Sequence, residues 1–368
     1  MADTPATDRA EKRRRRQGAK ALNPAAAPTP ADAPEPAARR NGWPVPNPFS
    51  VLFFVFLVSY LVWKIKKEYA EDDIFRTTQS TSAEAAPSAA VTTPGAPILT
   101  DRIVAIGDLH GDYPNALSVF QMAGLADTDG NWVGNKSILV QTGDIVDRGP
   151  DTMKLYVFIR RLTKQAAEAG GRVVPLLGNH EVMNMMEDFR YVANEDVESF
   201  GGMPQRKEAW SKDGWLGRYL RTWDITAIVN GTVFLHGGLH PTWAAQGIDA
   251  LNKAARTALT TRTPHELWGV KLFQGDGPLW YRGYANDDEK VVCDTLDTAL
   301  GMVNATRMVI GHTPQLTGEI LSRCNNKVHV VDVGISSVYG GNKAALEISG
   351  NRVVAIYPGK RVLITDEE

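Results

Sequence analysis

Four of the seven histidines in this 368-residue chain fall just after short apolar runs, next to acids and amides of the kind that bind metals. Asp108 and His110 follow the run 102–106, Asp144 follows 137–141, and Asn179 and His180 follow 172–177. His236 follows 232–235, and His312 follows 307–310. A mixed Asp/His/Asn donor set suits borderline divalent ions such as Mn, Fe or Zn rather than Ca. One such histidine would read as an ordinary structural residue; five run ends that each finish in a ligand type form a pattern. Asp144 is the candidate to bridge two half-sets. Two ions held about 3.5–4 Å apart clamp an in-line displacement and lower the pKa of a water between them. Asp147 and Arg148 come three and four residues after Asp144. A guanidinium there can take phosphate oxygens two at a time; the plainer reading of Arg148 is a surface ion pair with Asp151.

These residues can meet only if the apolar runs are strands of one architecture. Helix-like stretches at 115–123 and 152–169 lie between the first three runs. Strand–helix alternation implies an α/β fold with helices flanking the sheet. Ligands in such folds gather at the carboxyl ends of strands, where all the polar residues named above stand. Asn230-Gly231, between the runs 225–229 and 232–235, is a hairpin signal.

The motifs GDLHGD (107–112), GDIVDRG (143–149) and GNHE (178–181), followed by HGG (236–238) and GHT (311–313), resemble the signature of calcineurin-like metallophosphoesterases, in particular the phosphoprotein phosphatase branch. The segments GPLWYRG (277–283), GHTPQ (311–315) and VDVGIS (331–336) are similar to those of the Shewanella-like phosphatases. The resemblance covers about residues 101–340 and implies a β-sandwich flanked by helices. It implies that Asp108, His110 and Asp144 hold one divalent ion and that Asp144, Asn179, His236 and His312 hold a second, Mn before Fe or Zn. It further implies that Arg148 and Arg282 bind the phosphate, that His180 protonates the leaving oxygen, and that Asp147 orients and charges His180. A metal-bridging hydroxide would then attack phosphorus in one step. A carboxylate beside an imidazole favours its protonated form, which agrees with that role. Two departures stand out. The Trp-Ser-Asp-Pro stretch of common Ser/Thr phosphatases is absent, with Tyr281-Arg282 in the comparable region, and SSVYGG (336–341) replaces their C-terminal loop. The choice between phosphoserine/threonine and phosphotyrosine stays open.

Composition sets the outer bounds. With 40 basic and 42 acidic side chains, net charge −2, the chain is no globally basic nucleic-acid binder. Two cysteines exclude a disulfide scaffold and a Cys-rich zinc module. The charge is unevenly spread: residues 1–48 hold nine basic and five acidic side chains, so they carry +4 and the remainder −6. We expect a disordered Ala/Pro-rich tail over 1–47, because such a sequence buries too little apolar surface to offset its ordering entropy. Residues 41–63 carry no charge. A helix over 48–65, with Pro48 in its first turn, would be roughly 27 Å long, enough for a thin bilayer. Residues 66–100 read as a Ser/Thr/Ala/Pro stalk, and 101–368 as the metallophosphatase domain.

Lysines just after the span favour a catalytic head in the cytosol, while the basic tail favours the reverse. Cys293 and Cys324 are free thiols in cytosol or one disulfide in a lumen. The sequons at Asn135, Asn230 and Asn304, the cysteine pair and the stalk favour a lumenal head in the secretory pathway (endoplasmic reticulum or Golgi). Glu181 reads as a support for His180 or a helix-start residue, His240, His265 and His329 as structural, and Trp210, Trp215 and Trp223 as core or lid. The expectation is a membrane-anchored phosphatase acting on phosphoproteins, with the lipid bilayer as a partner. Its rivals are a dinucleotide polyphosphate hydrolase and a non-catalytic phosphoprotein-binding scaffold. The completeness of the ligand, arginine and acid set speaks against the scaffold.

Overall fold

The runs 102–106, 137–141, 232–235 and 307–310 become strands buried almost throughout, which is why they read as continuous hydrophobic stretches and not as alternating ones. In a computed structural model that describes residues 102–366, β1 (Arg102–Ile106), β2 (Ile138–Gln141) and β3 (Arg172–Pro175) pair in parallel. All four residues of β2 are buried. The crossovers are α1 (Tyr113–Met122) and α2 (Thr152–Glu168). Asp112 caps α1 by accepting the Asn115 N–H at 3.0 Å. Helix α2 buries Leu155, Tyr156, Phe158, Ile159 and Leu162, the three-and-four spacing of one helix face.

After β3 come α3 (Asn179–Met185), α4 (Asn194–Ser199), α5 (Met203–Trp210) and α6 (Trp215–Leu220). A second sheet then forms from β4 (Thr226–Val229), β5 (Thr232–Leu235), β6 (Arg307–Ile310), β7 (Leu321–Arg323) and β8 (Val328–Val330), in the order β4-β5-β6-β8-β7. Strands β5, β6 and β8 run parallel, so their carboxyl ends face one way. The turn joining β4 to β5 holds Asn230 and Gly231 at φ 46° and 74°, as a tight hairpin needs. Five α-helices separate β5 from β6: α7 (Pro241–Ala244), α8 (Ile248–Thr261), α9 (Pro264–Leu267), α10 (Gly283–Asn286) and α11 (Glu289–Val303). The strands β9 (Ala345–Ser349), β10 (Arg352–Tyr357) and β11 (Lys360–Thr365) return to the first sheet, giving the six-stranded order β11-β10-β9-β1-β2-β3. The fold is α/β, with two mixed sheets and flanking helices.

Trp210 and Trp223 are core residues, each with its ring edge-on or tilted to Tyr156 at 5.9 Å. Cys293 of α11 and Cys324, just past β7, form a disulfide. Among the described residues no helix is long and apolar enough to cross a membrane. The tail, span and stalk expected over 1–100 lie outside the described residues.

Candidate metal centre

The loops that leave the strand ends are strained to aim their side chains inward. His110, Asp144, Asp147, Arg148 and His312 all have positive φ, between 43° and 69°. Non-glycine residues adopt this region rarely, and such strain concentrates at functional sites. Two glycines permit the close approach of loops. A Cβ on Gly178 or on Gly311 would collide with the carboxylate of Asp144 or Asp108 respectively. The two sheets are stitched together at this point. The His312 N–H donates to both Asp108 oxygens at 3.2 Å, and His236 Nδ1 donates to the Thr142 carbonyl at 2.9 Å.

That last bond sets the chemistry of the site. A carbonyl only accepts, so Nδ1 of His236 carries the proton and Nε2 presents a lone pair. Nε2 nevertheless lies 2.8 Å from Asn179 Oδ1, 3.0 Å from His312 Nδ1 and 3.2 Å from Asp144 Oδ2. His110 repeats the arrangement, with Nδ1 bonded to the Val146 carbonyl at 3.0 Å and Nε2 3.7 Å from Asp144 Oδ2 and 3.9 Å from Asp108 Oδ2. Lone pairs facing lone pairs in a buried place call for a cation between them. The acids agree. Burial, Asp332 and the Asp144 charge push the Asp108 carboxyl well above its usual range. Burial also opposes charge on Asp144, but the imidazolium of His180 beside it helps to hold its carboxyl well below that range. Burial lowers His110 to about 4, so its imidazole is neutral and able to ligate. The residues present therefore fit divalent ions. Asp144 is common to both clusters of possible donors, His110–Asp144–His180 and Asp144–His236–His312, and its Oδ2 is the oxygen nearest the rings of His110 and His236.

His180 differs from the other imidazoles. Its Nδ1 meets Asp147 Oδ2 at 2.6 Å, and its Nε2 lies 3.8 Å from Asp144 Oδ2. Burial alone would lower its pKa, but Asp144 and Asp147 raise it above the ordinary value. With Nδ1–H held by Asp147, the ring turns an N–H at Nε2 towards the centre when protonated. Arg148 does not pair with Asp151, which takes Lys154 at 2.6 Å. Its guanidinium lies 3.9 Å over the Tyr191 ring, and its Nε is buried with no hydrogen-bond partner. Arg282 donates to the His312 carbonyl at 2.5 Å. All ten residues singled out in the sequence thus converge on one place.

Comparison with known proteins fits this geometry. The family model for calcineurin-like phosphoesterases matches residues 101–316, more than half of the chain. The chain belongs to that family. A protein of Schizosaccharomyces pombe of uncharacterized function is 40% identical over 71% of this chain and 82% of its own. Shewanella-like protein phosphatase 2 of Arabidopsis thaliana is 31% identical over 70% and 78%. The crystal structure of a cold-active protein-tyrosine phosphatase from a psychrophilic Shewanella superposes with a TM-score of 0.64 at 31% identity, covering 72% of this chain and 80% of that one. The chain is a metal-dependent phosphatase.

In this calcineurin-like phosphoesterase further residues complete the site, and Glu181 takes the helix-start role that the sequence offered as one of two, at N3 of α3. Glu181 accepts four bonds: from the Gly178 and Asp144 N–H groups at 2.7 and 2.9 Å, the Ile145 N–H at 2.8 Å and the Tyr156 hydroxyl at 2.9 Å. It locks the β2 and β3 loops together and does not touch the His180 ring. Asp332, after β8, stands against Asp108, and burial lifts its pKa to about 6. Asp147 Oδ1 accepts from Asn184 at 2.9 Å. His240 and His329 are structural, the first capping α7 and the second buried against Ser322. A half-open groove of about 330 Å³ begins at Asn179 and runs between Met183, Met186, Phe273 and Trp280.

Proposed function

We propose that this chain hydrolyses phosphomonoesters on phosphoproteins at a centre for two divalent ions, manganese first and iron or zinc next. Asp108, His110 and Asp144 hold one ion, and Asp144, Asn179, His236 and His312 hold the other. Bound there, the ions supply an activated water and neutralise charge on the phosphoryl group. The chain's own residues do the rest. Arg148 and Arg282 grip the phosphoryl oxygens, the first through a guanidinium braced on Tyr191 with a buried donor to spare. His180 hands the proton at Nε2 to the leaving oxygen as the phosphorus–oxygen bond breaks, and Asp147 holds the ring and stabilises its charge. Water takes the phosphoryl group directly, with no phosphoenzyme. The observation that carries this reading is the position of Asp144 Oδ2, 3.2 Å from His236 Nε2 on one side and 3.7 Å from His110 Nε2 on the other. The substrate class rests on relatives whose names denote protein phosphatases.

The test is a panel of phosphoserine, phosphothreonine and phosphotyrosine peptides with added Mn, run beside a dinucleotide polyphosphate. Phosphate release from the peptides supports the proposal. Splitting of the dinucleotide alone would replace it with the rival hydrolase, and silence on all of them would leave a binding scaffold.

We further propose that residues 48–65 span a membrane, that residues 66–100 form the stalk, and that the head faces a lumen of the secretory pathway. The Cys293–Cys324 disulfide supports an oxidising compartment. Asn135, Asn230 and Asn304 lie exposed at turns, where glycosylation is feasible. A gel shift on deglycosylation of the full chain checks this placement; its absence, together with extraction of the protein by salt alone, would contradict it.

A further inference from the structure

Arg206 of α5 is fully buried, and a buried charge is not a natural source of stability. It stands among the rings of Phe189, Phe200 and Trp210, each 5.5 Å from its guanidinium carbon. Its Nε donates to Asp196 at 2.9 Å and its Nη1 to Asn184 Oδ1 at 2.6 Å. Its Nη2 has no hydrogen-bond partner and lies 3.8 Å from Asp147 Oδ1. Replacing such a group by an apolar side chain is often neutral for a fold, so its presence asks for another explanation.

The bond to Asn184 supplies one. The Asn184 amide donates from Nδ2 to Asp147 Oδ1 at 2.9 Å and to the His180 carbonyl at 2.9 Å. If that amide flipped, its oxygen would face a carboxylate and a carbonyl, acceptor against acceptor. Arg206, which can only donate, holds the amide oxygen on its own side and so forbids the flip. Asp147 is thereby fixed with Oδ1 towards Asn184 and Oδ2 towards His180. Asp196, buried beneath, anchors the arginine and accepts the Thr152 N–H at the start of α2 at 3.3 Å.

Resting on the general-acid reading of His180, we infer that Arg206 is a positioning residue for proton donation: through Asn184 it sets the Asp147 carboxylate that aims His180 at the leaving oxygen. It touches neither substrate nor metal ligands. Its loss should therefore cost most where the leaving oxygen needs a proton and least where it does not.

The experiment compares wild type, Arg206→Gln, Arg206→Lys and Asn184→Ala on a phosphoserine peptide and on 4-nitrophenyl phosphate, with kcat and KM measured separately. The ratio of the two kcat values does not depend on the folded fraction, so partial unfolding cannot imitate the effect. Arg206→Gln and Asn184→Ala should each lower kcat for phosphoserine by about tenfold or more, a part of what general-acid catalysis provides. The aryl phosphate should fall less than about threefold and KM should hold. Arg206→Lys should recover part of the ratio, because an ammonium still only donates. An unchanged ratio in both Arg206→Gln and Asn184→Ala overturns the inference and leaves the phosphatase intact. A wild type that hydrolyses neither substrate overturns instead the reading beneath it.

Discussion

The six-stranded and five-stranded sheets contribute different things to the site. The loops after β1, β2 and β3 bring the acids Asp108, Asp144 and Asp147 together with Asn179 and two imidazoles. They interlock through their own backbones: the Leu109 and His110 N–H groups both donate to the Asp144 carbonyl, at 2.9 and 3.0 Å. The five-stranded sheet brings the imidazoles of His236 and His312, with Arg282 from the α10 start, and its one acid, Asp332, stands behind Asp108. Its ligands are held from the first sheet, His236 by the Thr142 carbonyl and His312 by the Asp108 carboxylate. The first half is therefore a self-supporting acidic frame, and the second is a closure of imidazoles and Arg282 that depends on it.

The sharpest way to break this comparison is at the atom the halves share. Asp144→Asn should cut kcat by roughly a thousandfold, which is what several kcal/mol of lost charge stabilisation amounts to. Circular dichroism should show the fold retained; near-native turnover would mean the halves do not share Asp144. Next in size is His180→Asn, within the acidic half. It should lower turnover of phosphoserine by about a hundredfold, against less than about tenfold for 4-nitrophenyl phosphate. Equal losses on both would remove its acid role.

The closure half is tested through its staple. Arg323 donates to the Tyr284 and Asp287 carbonyls at 3.0 and 2.7 Å, on the helix α10 that begins beside Arg282, and Cys324 is tied to α11. Replacing both Cys293 and Cys324 by alanine should lower stability by about 3 kcal/mol, read in urea melts. It should cost activity less than either change above, because the acidic frame stays whole; loss of activity on the scale of Asp144→Asn would erase the distinction between the halves. The smallest expected effect is at Glu289. The Cys324 N–H and Arg323 hold its carboxyl below the ordinary 4.5. A depressed carboxyl stabilises the fold above its unfolded pKa and ceases to do so as pH falls through the folded one. Glu289→Gln should therefore melt slightly lower than wild type at pH 6–7, and the gap should close as pH falls below the ordinary 4.5 and through the lower folded-state value. A gap that persisted in acid would assign the effect to packing.

Much of the frame was legible in the sequence because each loop is a short motif at the end of an apolar run. The strands 102–106, 232–235 and 307–310 were bounded to the residue, and the ten expected site residues converge. The C-terminal strands β9–β11 carried no expectation, although Gly350 and Gly359 punctuate them as turns. Asp332 follows an apolar run in the same way as Asp108 and Asp144, and was still left unassigned. Asn184 stands one helical turn after His180, a spacing that could have linked them. Arg206 left no local signal: its partners Asp147, Asn184 and Asp196 are set by the packing of α5 against α3 and α4, which no spacing encodes. The positive φ values at five site residues were equally invisible, since Asp and His only modestly favour that conformation and Arg does not.

The central claim is a pocket for two cations with Asp144 between them. Elemental analysis of the purified full chain, loaded with Mn and dialysed, tests it directly. We predict two ions per wild-type chain and a clear loss of bound metal in Asp144→Asn; a wild type that retains none, or an Asp144→Asn variant that retains both, would contradict the account.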